Sequence, residues 1–394
     1  MAEDETTDLD SIEHRIRELK SAAEDAATRD AALAGFSDLL DLEGELQRIE
    51  SLDDAGLERA RRGLHSIALG LLDLGLRSPA GAPAASLERA QQELELLNTL
   101  LYMEGKTGGA RERLAAWLTE TERSRPEDLA SAISLQELFE VMGLAHWVYT
   151  EMADRVPALG ARAEALWGRW VDAAMTHPVA CAALELRDRA REAGWRYQEI
   201  ERRAQALGGA QADSIIALML GSEPPPFGPG QEVEVRSGRT GYGATPVATL
   251  RAALALLDLR SGDTFYDLGS GLGLPTLVAA LSSEAACRGV EYHRLYVERA
   301  EENARRLGLS GVQFHCGDAS AFDWSDGNRF YMFNPFPDEV LERVVARLLD
   351  LARERPVRVA CYANRLPAPG FSCVHEEGRV AVFEATPETA AKVP

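Results

Sequence analysis

The stretch Thr264 to Thr276 constrains this chain more than any other. Thr264, Phe265 and Tyr266 suit a buried strand, because β-branched and aromatic side chains pack well on a pleated surface. Gly269, Gly271 and Gly273 then punctuate a tight turn, and Pro275 has the fixed φ that suits a first helical turn. Strand, glycine turn and helix together make the nucleotide-cradling unit of doubly wound α/β folds. The glycine spacing narrows the ligand. A dinucleotide fingerprint needs a glycine at the sixth position, where Leu274 stands, and a phosphate loop needs a lysine that is absent. What remains is Asp-x-Gly-x-Gly-x-Gly, from Asp267 to Gly273. An acidic residue at the strand end suits a ligand carrying an ammonium group better than a pyrophosphate.

The segments behind this turn repeat its logic. Cys287–Tyr292 is expected as a second strand, with Glu291 placed to accept both hydroxyls of a ribose. Helix follows to about Leu307. Val312–His315 is expected as a third strand, and Asp318 beyond it could accept from an adenine amine. Arg329–Phe333 makes a fourth strand, ending in Asn334-Pro335-Phe336-Pro337. Helix from Asp338 to about Arg353 leads to a fifth strand, Val357–Tyr362. Ser372–His375 and Arg379–Glu384 are expected as two closing strands. Right-handed crossovers put these strands in one mostly parallel sheet, with ligand at its carboxyl ends.

The motif at Asp267–Gly273, with Glu291 and Asp318 following in order, resembles the class I S-adenosylmethionine-dependent methyltransferases. The resemblance implies a Rossmann-like, seven-stranded sheet with an antiparallel last strand over residues 245–394. It implies S-adenosyl-L-methionine as cofactor, held by Asp267, Gly269, Ser270, Gly271, Gly273, Glu291, Tyr292, Asp318, Ala319 and Asn334. Tyr242 and Thr245 are expected to close over it from a glycine-rich lid. The stretch Tyr242-Gly-x-Thr245-Pro246, with Asp267–Gly273, is also similar locally to non-SET lysine methyltransferases and their bacterial relatives. Two features depart from the family: residues 363–371 leave too little chain for the usual helix, and Asn334-Pro335-Phe336 lacks the second proline of amino-directed nucleic-acid enzymes. Asn334, Pro335 and Phe336 are the candidate catalytic residues, Asn334 to orient a target amine and Phe336 to pack on a planar acceptor. His293, His315 and His375 are further proton acceptors to consider.

Ahead of this domain, residues 1–222 are expected to be an all-helical bundle for substrate recognition or oligomerisation. Apolar residues recur there at spacings of three and four, as at Ile12, Ile16, Leu19, Ala23 and Ala26. One helix is expected over 158–176, another over 178–207. Trp147, Trp167, Trp170 and Trp195 are expected in the core, or else Trp147, Tyr149, Trp167 and Trp170 form a wall facing the α/β domain. Residues 223–244 are rich in proline and glycine and form the linker.

The net charge of −21 argues against a partner bound through phosphates. The expected acceptor is a small molecule, peptide or protein, with nucleic acid disfavoured and nitrogen as the methylated atom. A non-catalytic cofactor-binding scaffold and an amino-directed nucleic-acid methyltransferase are the alternatives. No apolar run approaches the roughly 20 residues of a membrane span, and the acidic start is unlike a signal peptide, so a cytoplasmic protein is expected. Five cysteines lack paired or metal-type spacing and are expected as buried, reduced thiols.

Overall fold

The computed structural model describes residues 14–15, 17–19, 21, 87–104, 110–121, 126–224, 228–229, 245–333, 336, 338–362, 366, 369–377 and 379–393. Most of the helices expected before residue 86, the lid residue Tyr242, and Asn334 and Pro335 lie outside them. The chain divides into two compact units. One comprises the residues up to Ile133 with Glu140–Ala173; the other comprises Ser134–Phe139 with Ala174–Pro394.

The first unit is helical. It contains α1 (Leu87–Glu104), α2 (Ala110–Thr121), α3 (Pro126–Ala130), most of α4 (Leu135–Arg155) and most of α5 (Gly160–Thr176). Leu94, Leu97 and Leu101 of α1 and Leu114 and Leu118 of α2 are buried, at the helical spacing that makes one apolar face. Trp167, Trp170 and Tyr149 are buried as core residues. Trp147 is not: 39% of its surface is exposed.

The second unit opens with a capping box. Ser134 Oγ accepts from the Glu137 amide, and the Glu137 carboxylate accepts from the Ser134 amide at 2.8 Å. The helix expected over 178–207 is two helices, α6 (Pro178–Ala193) and α7 (Tyr197–Gly208). Gly194 stops α6 in the left-handed region at φ 61°, its amide bonding back to the carbonyls of Ala190 and Arg191. Then α8 (Ala212–Met219) is buried on all sides of its last turns, at Ile215, Ile216, Ala217, Leu218 and Met219. Such a helix must be covered. It packs on α6, α7 and on α9 (Val247–Leu257), which leads into the sheet. This packing draws residues 174–222 into the compact unit of the sheet, so the contact boundary precedes the proline-rich segment.

The sheet follows the expected strands within a residue or two. They are β1 (Thr264–Leu268), β2 (Ala286–Glu291), β3 (Gln313–Cys316), β4 (Arg329–Phe333), β5 (Val357–Tyr362), β6 (Ser372–Glu377) and β7 (Val380–Ala385). Their order is β3-β2-β1-β4-β5-β7-β6. The first five are parallel, and β7 runs antiparallel between β5 and β6. The helices α10 (Leu274–Ser282), α11 (Arg294–Arg306) and α12 (Asp338–Glu354) provide crossovers, and α13 (Pro387–Ala390) follows the last strand. The strand order reverses at β1, which pairs with both β2 and β4. Open α/β sheets bind ligands at the carboxyl ends of the strands at such a reversal.

One core layer buries Leu268, Phe330, Met332, Cys361, Val344 and Leu348. The expectation of buried thiols holds only for Cys287 and Cys361; Cys181, Cys316 and Cys373 are exposed. The first sits on a helix, and the others lie on β3 and β6, the two edge strands, which have neighbours on one side only.

Candidate active site

The glycine turn joins β1 to α10 and is held by backbone bonds. Gly269, Gly271 and Gly273 have φ of 84°, 50° and 85°, where side-chain-bearing residues are strained. Space forbids a side chain as well. A Cβ on Gly273 would lie 2.6 Å from the Phe314 ring, and one on Gly289 of β2 would lie 2.6 Å from the same ring. The amides of Gly269 and Ser270 both donate to the Val290 carbonyl, at 2.8 and 3.1 Å. The turn is thereby fastened across the tip of β2.

Glu291 is 8% exposed and organises three segments. Its Oε2 accepts from the Gly271 amide at 2.9 Å, and its Oε1 accepts from the His293 amide at 2.9 Å. Its own carbonyl accepts from the Gly317 amide at 2.9 Å, which fixes the loop after β3. A carboxylate has about four lone-pair positions, so Glu291 retains acceptor capacity for two hydroxyl groups.

Asp267 sits beside it, 1% exposed. The Thr276 hydroxyl, at the start of α10, donates to its Oδ2 at 3.1 Å. Burial pushes the carboxyl up to about 8, and the nearby Glu291 charge adds to the rise, while Thr276 opposes it. An acid so destabilised in its ionised form is suited to a cationic ligand. The Ser270 hydroxyl, buried in the same turn, has no hydrogen-bond partner among the described residues.

The remaining expected site residues divide. Thr245 is buried, and its hydroxyl shares a 2.8 Å hydrogen bond with the Tyr331 hydroxyl on β4. Tyr292 follows Glu291 and is 50% exposed. Asp318 is half-buried, and its Oδ1 accepts from the Ser320 amide at 2.9 Å and hydroxyl at 2.7 Å. Ala319 is turned into the core, its carbonyl accepting from Trp324 Nε1 at 2.8 Å. Phe336 likewise joins the core layer with Val340 and Val344. Burial lowers the pKa of His315, and the Arg288 charge lowers it further.

Two features escaped the sequence. Asn303 of α11 donates to the carbonyls of Leu272 in the turn and of Gly221 after α8, each at 3.3 Å. An asparagine inside an amphipathic helix gives no sequence signal of that role. The other is a row of aromatic residues on one face of β4 and β5. Tyr331 is the register partner of Asp267, and Phe333 is that of Tyr362. The Phe333 and Tyr362 rings lie 4.6 Å apart, tilted by 52°.

Residues 259–347 match the family model described as Methyltransferase domain. The 23S rRNA (uracil(1939)-C(5))-methyltransferase RlmD of Aeromonas salmonicida is 31% identical over 140 residues, 34% of this chain and 30% of the relative. That of Alkalilimnicola ehrlichii is 32% identical over 152 residues, 36% of this chain and 34% of the relative. The matches thus span about a third of those relatives' length. Among solved structures, an RNA methyltransferase from Salinibacter ruber in complex with S-adenosyl-L-homocysteine is similar at 26% identity and a TM-score of 0.32, covering 36% of this chain and 93% of that one. TrmN from Thermus thermophilus is similar at 28% identity and a TM-score of 0.31, covering 36% and 49%.

These relatives correct one expectation. A small-molecule, peptide or protein acceptor, with nucleic acid disfavoured, does not stand beside curated relatives named for methylating ribosomal RNA. The physical reason is that net charge averages the entire chain, whereas an acceptor is recognised at one site. Among the described residues no helix is long and apolar enough to cross a membrane. The family match, laid over a glycine turn clasped by Asp267 and Glu291, makes the C-terminal part of this chain a methyltransferase domain of the class I fold.

Proposed function

We propose that this protein transfers a methyl group from S-adenosylmethionine to RNA. The observation that carries the cofactor is the pair at the tips of β1 and β2. Buried Asp267 meets an ammonium group, and Glu291, held by the Gly271 amide at 2.9 Å, offers its remaining lone pairs to the ribose hydroxyls. The Ser270 hydroxyl and the left-handed glycines give the same turn room and polarity for a ligand at close approach. RNA as acceptor rests on the names of the relatives over the matched third of their length.

The chemistry that bound S-adenosylmethionine supplies is an electrophilic methyl group on a sulfonium. The chain's own residues have to position the acceptor and exclude water, and proximity alone is worth on the order of 7–11 kcal/mol. Asp267 changes state on binding. With burial pushing its carboxyl up to about 8, it is largely protonated at neutral pH, and a cation opposite would draw it to the ionised form. Thr276 then donates to a full carboxylate rather than to an acid.

An exocyclic base amine is the acceptor atom in this reading. Carbon 5 of a uracil would need a thiolate to add to the ring first. Cys361, on the strand next to β4, is wholly buried, and burial holds its thiol well above the usual range.

Two measurements test the reading. Calorimetry should show S-adenosylmethionine binding that Asp267→Ala abolishes; equal binding by both proteins would remove Asp267 from the site. Labelled cofactor incubated with protein-free cellular RNA should label the RNA, and mass analysis of its nucleosides should show a methylated amine. Label appearing in protein or metabolites but never in RNA would refute the acceptor class.

A further inference from the structure

The aromatic row on β4 and β5 continues past the candidate cofactor residues to a cation. Asp267 of β1 pairs in register with Tyr331 of β4, and Phe333, two residues on, pairs with Tyr362 at the end of β5. In a strand, residues two apart share a face, so Asp267, Tyr331, Phe333 and Tyr362 lie on one side of the sheet. Phe330, Met332 and Cys361 occupy the core layer on the other. Across the next strand pair, Tyr362 is opposite Val380, and Arg379 in the turn before it places its guanidinium 5.0 Å from the centroid of the Tyr362 ring. Tyr362 is 8% exposed, Phe333 is half-buried and Arg379 is exposed. Among the described residues Arg379 makes no ion pair.

We propose that Phe333, Tyr362 and Arg379 form the stacking side of the acceptor site, which takes an unpaired RNA base. The inference rests on RNA being the acceptor and deepens that reading. Tyr362 is the buried base of the stack, and the Arg379 guanidinium lies over its ring at the carboxyl end of β5. The exposed Arg379 guanidinium and the half-buried Phe333 ring are the groups that would meet the base. Aromatic rings and arginine planes are the groups on which splayed single-stranded bases stack. This mode also fits the charge of the chain. A protein at −21 gains little from tracking phosphates, whereas stacking draws on the π-face of a base and needs few phosphate contacts. The row lies on the β4 side of the strand-order reversal, and the carboxylates of the glycine turn lie on the other. Acceptor and cofactor would therefore sit on opposite sides of the reversal.

The test is fluorescence anisotropy with a short fluorescein-labelled single-stranded RNA, at low and at physiological salt. Cofactor calorimetry on every variant serves as the folding control. Base stacking is worth roughly 1–3 kcal/mol, which is about 5- to 150-fold in affinity. Arg379→Gln and Phe333→Ala should each weaken RNA binding about tenfold while cofactor affinity stays unchanged. Tyr362→Phe, which keeps the ring, should bind as wild type does. Affinity should fall only shallowly with salt. Wild-type RNA affinity in both Arg379→Gln and Phe333→Ala would overturn the stacking site, and methyl transfer to RNA by those variants would leave the proposed function standing. A steep salt dependence that Arg379→Gln leaves intact would likewise overturn it. RNA binding lost with Arg379→Gln, but with no methyl transfer to RNA by wild type, would uphold the stacking site and remove the proposed function.

Discussion

The tips of β1 and β2 and the tips of β4 and β5 lie in the same sheet and are built differently. At the first pair the work is done by main chain and carboxylates. Glycine amides donate to Val290 and Glu291, and Asp267 is pinned by Thr276. At the second pair the face is aromatic, with buried Tyr331 and Tyr362 and half-buried Phe333 in a row, and exposed Arg379 over its end. On the proposed reading, the contrast sets a nucleoside cofactor met by hydrogen-bond geometry, which tolerates no change of backbone, against a base acceptor met by flat surfaces, which tolerate modest shifts. Substitutions on the first side should therefore cost more than those on the second.

The sharpest way to break that comparison is at Gly273. An added Cβ there meets the Phe314 ring at 2.6 Å, in a backbone at φ 85°. Overpacking costs about 1–3 kcal/mol and a left-handed side-chain-bearing residue about 1–2, so Gly273→Ala should lose roughly 2–5 kcal/mol of stability in urea unfolding. A loss below about 1 kcal/mol would show a turn far softer than its bonds imply.

Next comes Glu291→Gln, which weakens two hydrogen bonds to backbone amides. Bonds to a charged group are worth about 1.5–3 kcal/mol each, so cofactor affinity should fall at least about tenfold. The substitution also removes a charge that raises the Asp267 pKa. The Asp267 titration should therefore move down, which carboxyl NMR would follow.

Asp267 itself predicts a pH profile. Its carboxyl rises from an ordinary 3.8 to about 8 on folding, so the folded state holds a proton that the unfolded state releases. The resulting stability is full below pH 3.8 and is lost as pH rises through about 8. Thermal unfolding of the cofactor-free protein should show wild type losing stability relative to Asp267→Asn across that window. Saturating S-adenosylmethionine should flatten the difference. Parallel profiles for the two proteins would mean that the carboxyl ionises freely.

On the aromatic side the effects are smaller. Tyr331→Phe removes one buried hydrogen bond and leaves the Thr245 hydroxyl without its partner, for about 1 kcal/mol in the same unfolding assay. Arg379→Gln, at an exposed position without an ion pair among the described residues, should change stability by under about 0.5 kcal/mol. A larger loss there would assign Arg379 to structure rather than to the acceptor.

The legible parts of this molecule were those whose information is local. Strand ends came within a residue or two because runs such as Arg329–Phe333 and Val357–Tyr362 are bounded by turn residues. The sequence places Asp267 and Glu291 at strand tips, where the structure has them, because glycines mark where the chain bends. The break at Gly194 was missed because the apolar rhythm continues across it, while its left-handed φ depends on the C-cap bonds. The sequence points to Phe336 as an acceptor contact because it follows Asn334-Pro335, yet the fold turns it into the core layer with Val340 and Val344. Ala319 was turned inward in the same way, by the demands of Trp324 and Arg347 on its carbonyl.

By itself the sequence determined the α/β class of the C-terminal part, the places of its strands along the chain and the carboxylates at the tips of β1 and β2, because periodicity and glycine spacing act over a few residues. Only the tertiary structure decided that α6 to α8 join the sheet, that Asn303 braces the turn, and that Arg379 lies over the Tyr362 ring. Each of those depends on register and packing between segments far apart in the chain, where the buried area and hydrogen bonds gained exceed any local preference.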